Sequence, residues 1–246
     1  MGRFKVRSQS YRSRKVRRIR RFRYRGIETL IENIDALRQK GPRRVSPTLV
    51  PGMISNAAAA QISIKWNAMG PSMSPVSACA IGNTAIGEAF RLIRSGEVDA
   101  VFAGGTEAAI TDLSVASFGN ATALSTRNDN PTQASRPFDE DRDGFVMSEG
   151  AGILILESLS HALRRGANIH AEVIGYGASS DAHHMVATHP EGKGAYLAMK
   201  AALKMQTYPL KRLMLLALMQ QVQKWVISLK PRLSRNCLEN MLIRFQ

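Results

Sequence analysis

Apolar side chains recur at helical spacing in several parts of the chain. The first set predicts a helix that the Gly41-Pro42 pair ends, and its members are Ile27, Leu30, Ile31, Ile34 and Leu37. A turn bracketed by Pro47 and Pro51 leads into a second helix, which begins in the alanine run at 57–60 and continues to about Trp66. Three more helices are predicted, from just after Cys79 to about Arg94, from Ser158 to Arg165 and from Gly194 to Lys204.

Short apolar runs bounded by glycine or proline predict strands between these helices. The strands are expected at 74–78, 98–103, 152–156 and 170–177. The stretch 119–145 is rich in turn-forming residues, most clearly at 128–131, and is expected to be a loop. Strands that alternate with helices predict an α/β layered fold.

Composition adds limits to this picture. Hydrophobic residues make up 44% and aromatic residues 6% of the 246-residue chain, which is typical of a soluble α/β protein. No run of about 18 apolar residues occurs, so no membrane span is predicted. The two cysteines, Cys79 and Cys237, are too few for a disulfide scaffold and are typical of a reducing compartment.

The net charge of +15 is concentrated at the two ends of the chain. Residues 1–25 hold 12 Lys or Arg and no acid, and residues 205–246 hold seven Lys or Arg against the single acid Glu239. Residues 26–204 hold 15 basic and 18 acidic residues. The usual inference from a basic chain, a polyanionic partner, therefore does not extend to the body of this chain.

Cys79 lies between a predicted strand and a predicted helix. A thiol at the start of a helix faces backbone N–H groups without partners and the positive end of the helix dipole, which favour the thiolate. The thiolate is the nucleophilic form, so an acyl-accepting cysteine fits this position. A small buried cysteine with no chemical role fits the same spacing, and the position alone leaves both interpretations open.

Several short motifs occur in a fixed order along residues 26–204. They include Asn56-Ala57-Ala58-Ala59, Ser77-Ala78-Cys79-Ala80, Ala103-Gly104-Gly105-Thr106-Glu107, Ala134-Ser135-Arg136-Pro137-Phe138-Asp139, Arg142-Asp143-Gly144-Phe145-Val146-Met147 and Glu149-Gly150-Ala151-Gly152. In this order the set resembles the elongating β-ketoacyl-[acyl-carrier-protein] synthases, closest to the bacterial type II enzymes, nearly without gaps.

The resemblance implies three site residues. Cys79 matches the cysteine that takes the growing acyl chain as a thioester, and its backbone N–H matches one oxyanion-hole donor. Ser77, two residues earlier, stands where the family usually has Thr. For substrate binding, Phe118 falls where relatives have a loop bordering the acyl cavity, and His184 lies near the family's pantetheine entrance.

Two other groups of residues invite a chemical interpretation. A set of charged residues is expected to form a buried ion-pair network that holds the loop, in preference to acid–base catalysis: Arg136, Asp139, Arg142, Asp143 and Glu149. The adjacent His183 and His184 would point to opposite faces of a strand, so no metal site is expected there.

The resemblance also implies the fold and the reaction. The family fold is thiolase-like, an α/β body of two similar halves in α-β-α-β-α layers that is dimeric in relatives, and it is incomplete in this chain. Residues 26–157 correspond to the later part of the first half and residues 158–204 to the start of the second. The reaction is a decarboxylative Claisen condensation of the acyl group on Cys79 with malonyl-[acyl-carrier protein]. No metal or bound cofactor is required, because phosphopantetheine arrives on the acyl carrier protein.

The family's two catalytic histidines, in His-(Gly/Ala)-Thr-Ser-Thr and Lys-Ser-x-x-Gly-His motifs, do not occur in the chain. From residue 205 the composition changes abruptly, and a reading shifted by one base permits a family-like continuation that contains His-Ala-Thr-Ser-Thr. The positions that come from Met219-Gln220 and from Trp225-Val226 leave no codon freedom. We hypothesise that residues 205–246 are out of frame, which an unbroken frame in resequenced DNA around codon 204 would disprove.

Residues 1–25 admit three interpretations: a second frame error or misplaced start, an organellar transit peptide, and a basic arm for nucleic acid. The frame error is preferred, because a transit peptide would precede family residues that are missing ahead of Gly26.

Three functions remain open: a fatty-acid condensing enzyme, a polyketide-type ketosynthase, and the non-functional product of a broken gene. The first is preferred. The protein is then expected to be a homodimer in the cytoplasm, or in a plastid or mitochondrion if the source is eukaryotic. It is expected to bind acyl carrier protein but neither nucleic acid nor membranes. As written, the chain is expected to be inactive in condensation, because it lacks both histidines.

Overall fold

The computed structural model describes residues 26–205. The predictions about the basic head at 1–25 and the out-of-frame tail lie outside these residues, except that Met205 ends the last described helix. The described elements are α1 (Gly26–Lys40), α2 (Leu49–Met53), α3 (Ala57–Trp66), α4 (Ile81–Arg94), β1 (Ala100–Glu107), α5 (Asp112–Asn120), β2 (Gly150–Glu157), α6 (Leu159–Arg164) and α7 (Lys193–Met205).

The chain divides into two compact units between Ile54 and Ser55. The first unit contains α1 and α2, and its most buried polar side chain is Asn33 of α1. The Asn33 amide accepts a hydrogen bond from the Ser46 backbone N–H (2.6 Å) and donates one to the Thr29 carbonyl (2.8 Å). These bonds hold the segment that follows α1 against the helix, and they satisfy a polar group that would be costly to bury alone.

The second unit is built around an antiparallel pair of strands. β1 and β2 pair over their full lengths, from Ala100 opposite Glu157 to Glu107 opposite Gly150. Helix α4 packs against both strands. Small residues occur on both elements: Ala89 of α4 and Ala103 of β1 are almost completely buried, and Gly105 of β1 lies against Gly82 of α4. Small residues let the helix approach the sheet closely.

All five predicted helices are confirmed. α1, α3, α4 and α7 lie within one or two residues of their predicted bounds. α6 also forms as predicted: the Ser158 hydroxyl accepts a hydrogen bond from the His161 N–H (3.3 Å), and Gly166 ends the helix by donating its N–H to the Leu163 carbonyl (3.1 Å). A serine cap and a terminal glycine are local signals, so the sequence specified this helix by itself.

The predicted strands are only partly confirmed. Those at 98–103 and 152–156 are present as the longer β1 and β2, whereas the segments 74–78 and 170–177 are not strands. A strand needs a hydrogen-bonded neighbour, and within residues 26–205 neither segment has one. The second segment is nevertheless packed: Tyr176 lies against Gly87 of α4, with the Arg91 guanidinium 5.0 Å from the ring centre.

Two local predictions between the strands are also corrected. Gly104 and Gly105 were expected to end a strand, but β1 continues through both to Glu107. Helix α5 was not predicted, and its last two residues fall in the stretch that was expected to be a loop. The boundary predicted between residues 157 and 158 stays a prediction.

Candidate active site around Cys79

Cys79 lies in a short 3₁₀ turn, Ala78–Ala80, that runs directly into α4 at Ile81. Its side chain is exposed and its thiol is free. The sequence predicted a cysteine between a strand and a helix. The helix is confirmed. The segment before Cys79 is not a strand, because it has no strand partner in the described part of the chain.

The backbone around Cys79 makes a sharp turn. Ala78 has a φ of 46°, in the left-handed region that residues with a side chain rarely occupy. The turn is closed by the Ala80 N–H, which donates to the Ser77 carbonyl (3.0 Å). A turn of this kind places Cys79 at a corner between two segments of the chain.

Two contacts hold this turn from either side. The hydroxyls of Ser77 and Thr84 share a partly buried hydrogen bond, with the two oxygens 2.7 Å apart. On the other side, β1 lies directly beneath the first turn of α4: a Cβ added to Gly105 would be 3.5 Å from the Gly82 Cα and 3.7 Å from the Ile81 Cγ2. These are ordinary van der Waals distances, so the strand packs directly against the start of α4.

The position of Cys79 suits a nucleophile. Ala80, the residue before α4, makes no side-chain capping bond, and the N–H of Ile81, the first residue of α4, donates to the Ala78 carbonyl. The positive end of a helix dipole favours negative charge within about one turn of the helix start. An exposed thiol at this position is accessible to a thioester carbonyl.

Phe118 lies on α5 instead of on the loop that the resemblance implied. Its ring is 43% exposed and meets Phe145 edge to face, with the ring centres 5.2 Å apart. The N-terminus of α5 is capped by Thr111, whose hydroxyl accepts from the Ser114 N–H (3.2 Å). A threonine followed by the acid Asp112 is a helix-start signal that could have found α5 from sequence.

His184 is exposed on the irregular segment before α7. Its Nδ1 accepts hydrogen bonds from the backbone N–H groups of Val186 (3.1 Å) and Ala187 (3.0 Å). In the neutral ring the proton is therefore on Nε2, which is left as a donor. Within residues 26–205, no group of three or more His, Cys, Asp or Glu is arranged to hold a metal ion.

The three predicted site residues lie on three separate elements. Among the described residues, hydrogen bonds and ring contacts join Phe118 to Phe145 and His184 to its own loop, and neither to Cys79. The local motif placed Cys79 at its turn. The roles of Phe118 and His184 stay predictions.

The structure adds a polar cluster around Asp143 that the sequence predicted in part. The Asp143 carboxylate accepts hydrogen bonds from the Ser125 hydroxyl (2.6 Å) and the Thr126 N–H (2.8 Å) and forms an ion pair with Arg136 (3.1 Å). These bonds, led by that of Ser125, lower the pKa of Asp143 to about 2. The expected ion-pair network is thus partly observed: the pair between Arg136 and Asp143 is partly exposed, whereas Arg142 is buried and donates to the Asp139 backbone carbonyl.

The same cluster anchors the loop that carries Phe145. Leu124 and Phe145 form an isolated bridge, in which the Ser125 N–H donates to the Phe145 carbonyl (3.0 Å). Gly144, between Asp143 and Phe145, has a φ of 153°, and a side chain there would collide with the Leu124 backbone. A glycine at this position is a condition for the close approach of the two segments.

Comparison with known proteins gives the class of this fold and site. The family model for the β-ketoacyl synthase N-terminal domain matches residues 18–162. The 3-oxoacyl-[acyl-carrier-protein] synthase 2 of Rhizobium meliloti (strain 1021) is 54% identical over 180 residues, and that of Synechocystis sp. is 53% identical over 179. Each alignment covers 73% of this chain and 43% of the relative.

Solved structures agree with the sequence relatives. A type II polyketide ketosynthase in complex with its acyl-carrier protein, AntDE:AntF, has a TM-score of 0.79 at 30% identity, covering 88% of this chain and 55% of the other. A β-ketoacyl synthase from Burkholderia phymatum STM815 has a TM-score of 0.63 at 37% identity, covering 70% and 43%. The neighbours are ketosynthases, so the α/β fold predicted from the resemblance, that of the thiolase-like condensing enzymes, is confirmed.

The fold is thus that of the thiolase-like condensing enzymes. The chain belongs to the β-ketoacyl synthase family. It spans less than half the length of the two curated relatives above.

Proposed function

We propose that this chain carries the nucleophile of a β-ketoacyl-[acyl-carrier-protein] synthase of fatty-acid biosynthesis. The observation that carries the proposal is the exposed Cys79 in a sharp turn at the start of α4, in a member of this family. The curated relatives at 54% and 53% identity are named as 3-oxoacyl-[acyl-carrier-protein] synthases, which supports acyl groups on carrier protein as the substrates.

In the proposed first step, the Cys79 thiolate attacks the carbonyl carbon of an acyl thioester on the carrier protein. The carrier's phosphopantetheine thiol leaves and takes a proton, and a new thioester forms on Cys79. In the second step, a malonyl thioester loses CO₂ and its enolate carbon attacks that acyl group, which frees Cys79 and gives a 3-oxoacyl thioester. The second step needs hydrogen-bond donors for the enolate oxygen, which the family's two histidine motifs provide and this sequence lacks.

Two further residues are assigned to substrate binding in this proposal. Phe118 borders the acyl chain, which its half-exposed apolar ring and its packing on Phe145 support. His184 lies near the pantetheine arm, where its exposed Nε2 donor is suited to an amide or hydroxyl acceptor. Neither takes part in bond formation.

The proposed partner is an acyl carrier protein, which supplies the phosphopantetheine. The neighbouring AntDE:AntF structure is of a ketosynthase in complex with such a carrier, which supports this choice. We further propose a homodimer in the cytoplasm, or in a plastid or mitochondrion of a eukaryote, without affinity for nucleic acid or membranes. None of the helices described between residues 26 and 205 is long and apolar enough to cross a bilayer.

Acyl loading tests the proposal directly. The purified chain is incubated with a saturated acyl-[acyl-carrier protein], and the tryptic peptide Trp66–Arg91 is examined for an acyl adduct that hydroxylamine removes. We expect the adduct on the wild-type chain and on Cys237→Ser, and none on Cys79→Ala. A chain with the far-UV spectrum of a folded α/β protein that takes no acyl group on Cys79 would contradict the proposal.

A polyketide-type ketosynthase is the second candidate, favoured by the TM-score of 0.79 with the AntDE:AntF ketosynthase. The acyl donor that the chain prefers distinguishes the fatty-acid function from the polyketide function. Preferential loading of a poly-β-ketoacyl donor over a saturated acyl donor of equal length would favour the polyketide function.

A further inference from the structure

We propose that Ser77 and Thr84 are positioning residues for Cys79, and that the hydrogen bond between their hydroxyls sets the reactivity of the thiol. This inference rests on the proposed function for its biological meaning, because it concerns the same nucleophile. The two residues flank Cys79 in the sequence, and their hydroxyl oxygens lie 2.7 Å apart.

The Ser77 hydroxyl does not make the bond that its position would favour. Ser77 precedes the 3₁₀ turn Ala78–Ala80, where a serine ordinarily accepts a hydrogen bond from a backbone N–H of the turn. Its side chain makes no such cap and bonds instead to Thr84 of α4. The bond therefore connects the segment before the nucleophile to the helix after it.

The turn between these two points is strained and needs support. Ala78 has a φ of 46°, a conformation that persists in a residue with a side chain only when the surrounding structure holds it. β1 supports the helix side of the turn through Gly105, which lies against Gly82. On the opposite, N-terminal side, the bond between Ser77 and Thr84 adds to the backbone bond from the Ala80 N–H to the Ser77 carbonyl.

The consequence concerns the distance between sulfur and the start of α4. The stabilisation of an anion by helix N–H groups and dipole falls off within the first turn, so a turn that relaxes moves the thiol out of that range. Loss of the Ser77 to Thr84 bond is thus expected to make the Cys79 thiol less reactive while the rest of the fold remains.

Alkylation by iodoacetamide measures this effect without any acyl donor. The rate at Cys79 is read from the peptide Trp66–Arg91, and the rate at Cys237 in the peptide Asn236–Arg244 serves as the reference in the same molecule. Ser77→Ala and Thr84→Val are each expected to lower the ratio of the two rates by about two- to fivefold.

Conservative and distant variants complete the design. Ser77→Thr and Thr84→Ser keep the hydroxyls and are expected to retain the wild-type ratio of alkylation rates. In the double variant of Ser77→Ala with Thr84→Val, this ratio is expected to fall no further than in the single variant with the larger effect. Ser95→Ala is the matched control: it removes a hydroxyl bond to the Leu92 carbonyl (2.9 Å) at the other end of α4, and it should leave the ratio unchanged.

Unchanged alkylation in folded Ser77→Ala and Thr84→Val, or equal losses in Ser95→Ala, would overturn the proposal and reduce the bond to a general stabiliser of α4. If Ser77→Ala fails to fold, Thr84→Val and its Thr84→Ser rescue decide the question alone. Failure of acyl loading with a normal alkylation response would count against the proposed function and leave this inference standing.

Discussion

At the scale of single residues, hydrogen bonding decides what each ionisable side chain does. Asp143 is a surface carboxylate, yet bonds from Ser125 and Thr126 and the charge of Arg136 lower its pKa to about 2. The bonds come from a segment some 17 residues earlier in the chain. The carboxylate therefore works as a clamp between two segments of the loop and not as an acid or base, which would need a pKa nearer the working pH.

The clamp predicts a dependence of stability on pH. Because the pKa of Asp143 is lowered on folding, its contribution is complete above its ordinary value of 3.8 and is lost as the pH falls toward 2. Asp143→Asn should accordingly lower the free energy of unfolding at pH 6, and the difference from wild type should narrow between pH 4 and pH 2. Urea unfolding at a series of pH values measures this.

Asp141→Asn makes the same change of charge nearby and is the control for Asp143→Asn. Asp141 bonds to Arg136 through its backbone carbonyl (2.6 Å), so its carboxylate is not part of the clamp. An equal response of the two variants to pH would show that net charge, and not the clamp, is responsible.

At the scale of elements, helices follow from local signals and strands do not. Ser158 and Gly166 mark the ends of α6 in the sequence, and the structure uses both. The apolar segments 74–78 and 170–177 carry a strand-like composition but have no strand partner among residues 26–205. Helix hydrogen bonds close within the segment, whereas a strand is completed only by another part of the chain.

The cap of α5 supplies a prediction at this scale. Thr111→Ala removes the acceptor for the Ser114 N–H and is expected to destabilise α5 by about 1 kcal/mol. Amide hydrogen exchange over 112–120 should become about fivefold faster as a result. Ser117→Ala, in the exposed middle of the same helix, should change exchange little, and an equal acceleration there would contradict the role given to the cap.

At the scale of the whole molecule, family membership and catalytic completeness are separate properties. Residues 18–162 match the family model, and the turn that carries Cys79 is present. The sequence lacks both histidine motifs of the family, and its five histidines lie elsewhere. A thiol alone can accept an acyl group, but decarboxylation and carbon–carbon bond formation need donors for the developing enolate.

A polypeptide of these 246 residues is therefore expected to be inactive in condensation. Incubation with acyl- and malonyl-[acyl-carrier protein] should give neither CO₂ nor 3-oxoacyl product above a protein-free blank. An intact curated relative, assayed in parallel, serves as the positive control for the carrier substrates. Product formation by this chain would show that other residues replace the two histidines.

The sequence by itself determined five of the helices, the family and the position of Cys79 before α4, because caps, apolar spacing and a contiguous motif are all encoded within a few neighbouring residues. Tertiary structure alone decided the antiparallel pairing of β1 with β2, the clamp at Asp143 and the bond from Ser77 to Thr84. These features join residues whose separation along the chain says nothing about their distance in space. The hydrogen bonds and the strand pairing form only when the fold brings these residues together, so local sequence signals do not predict them.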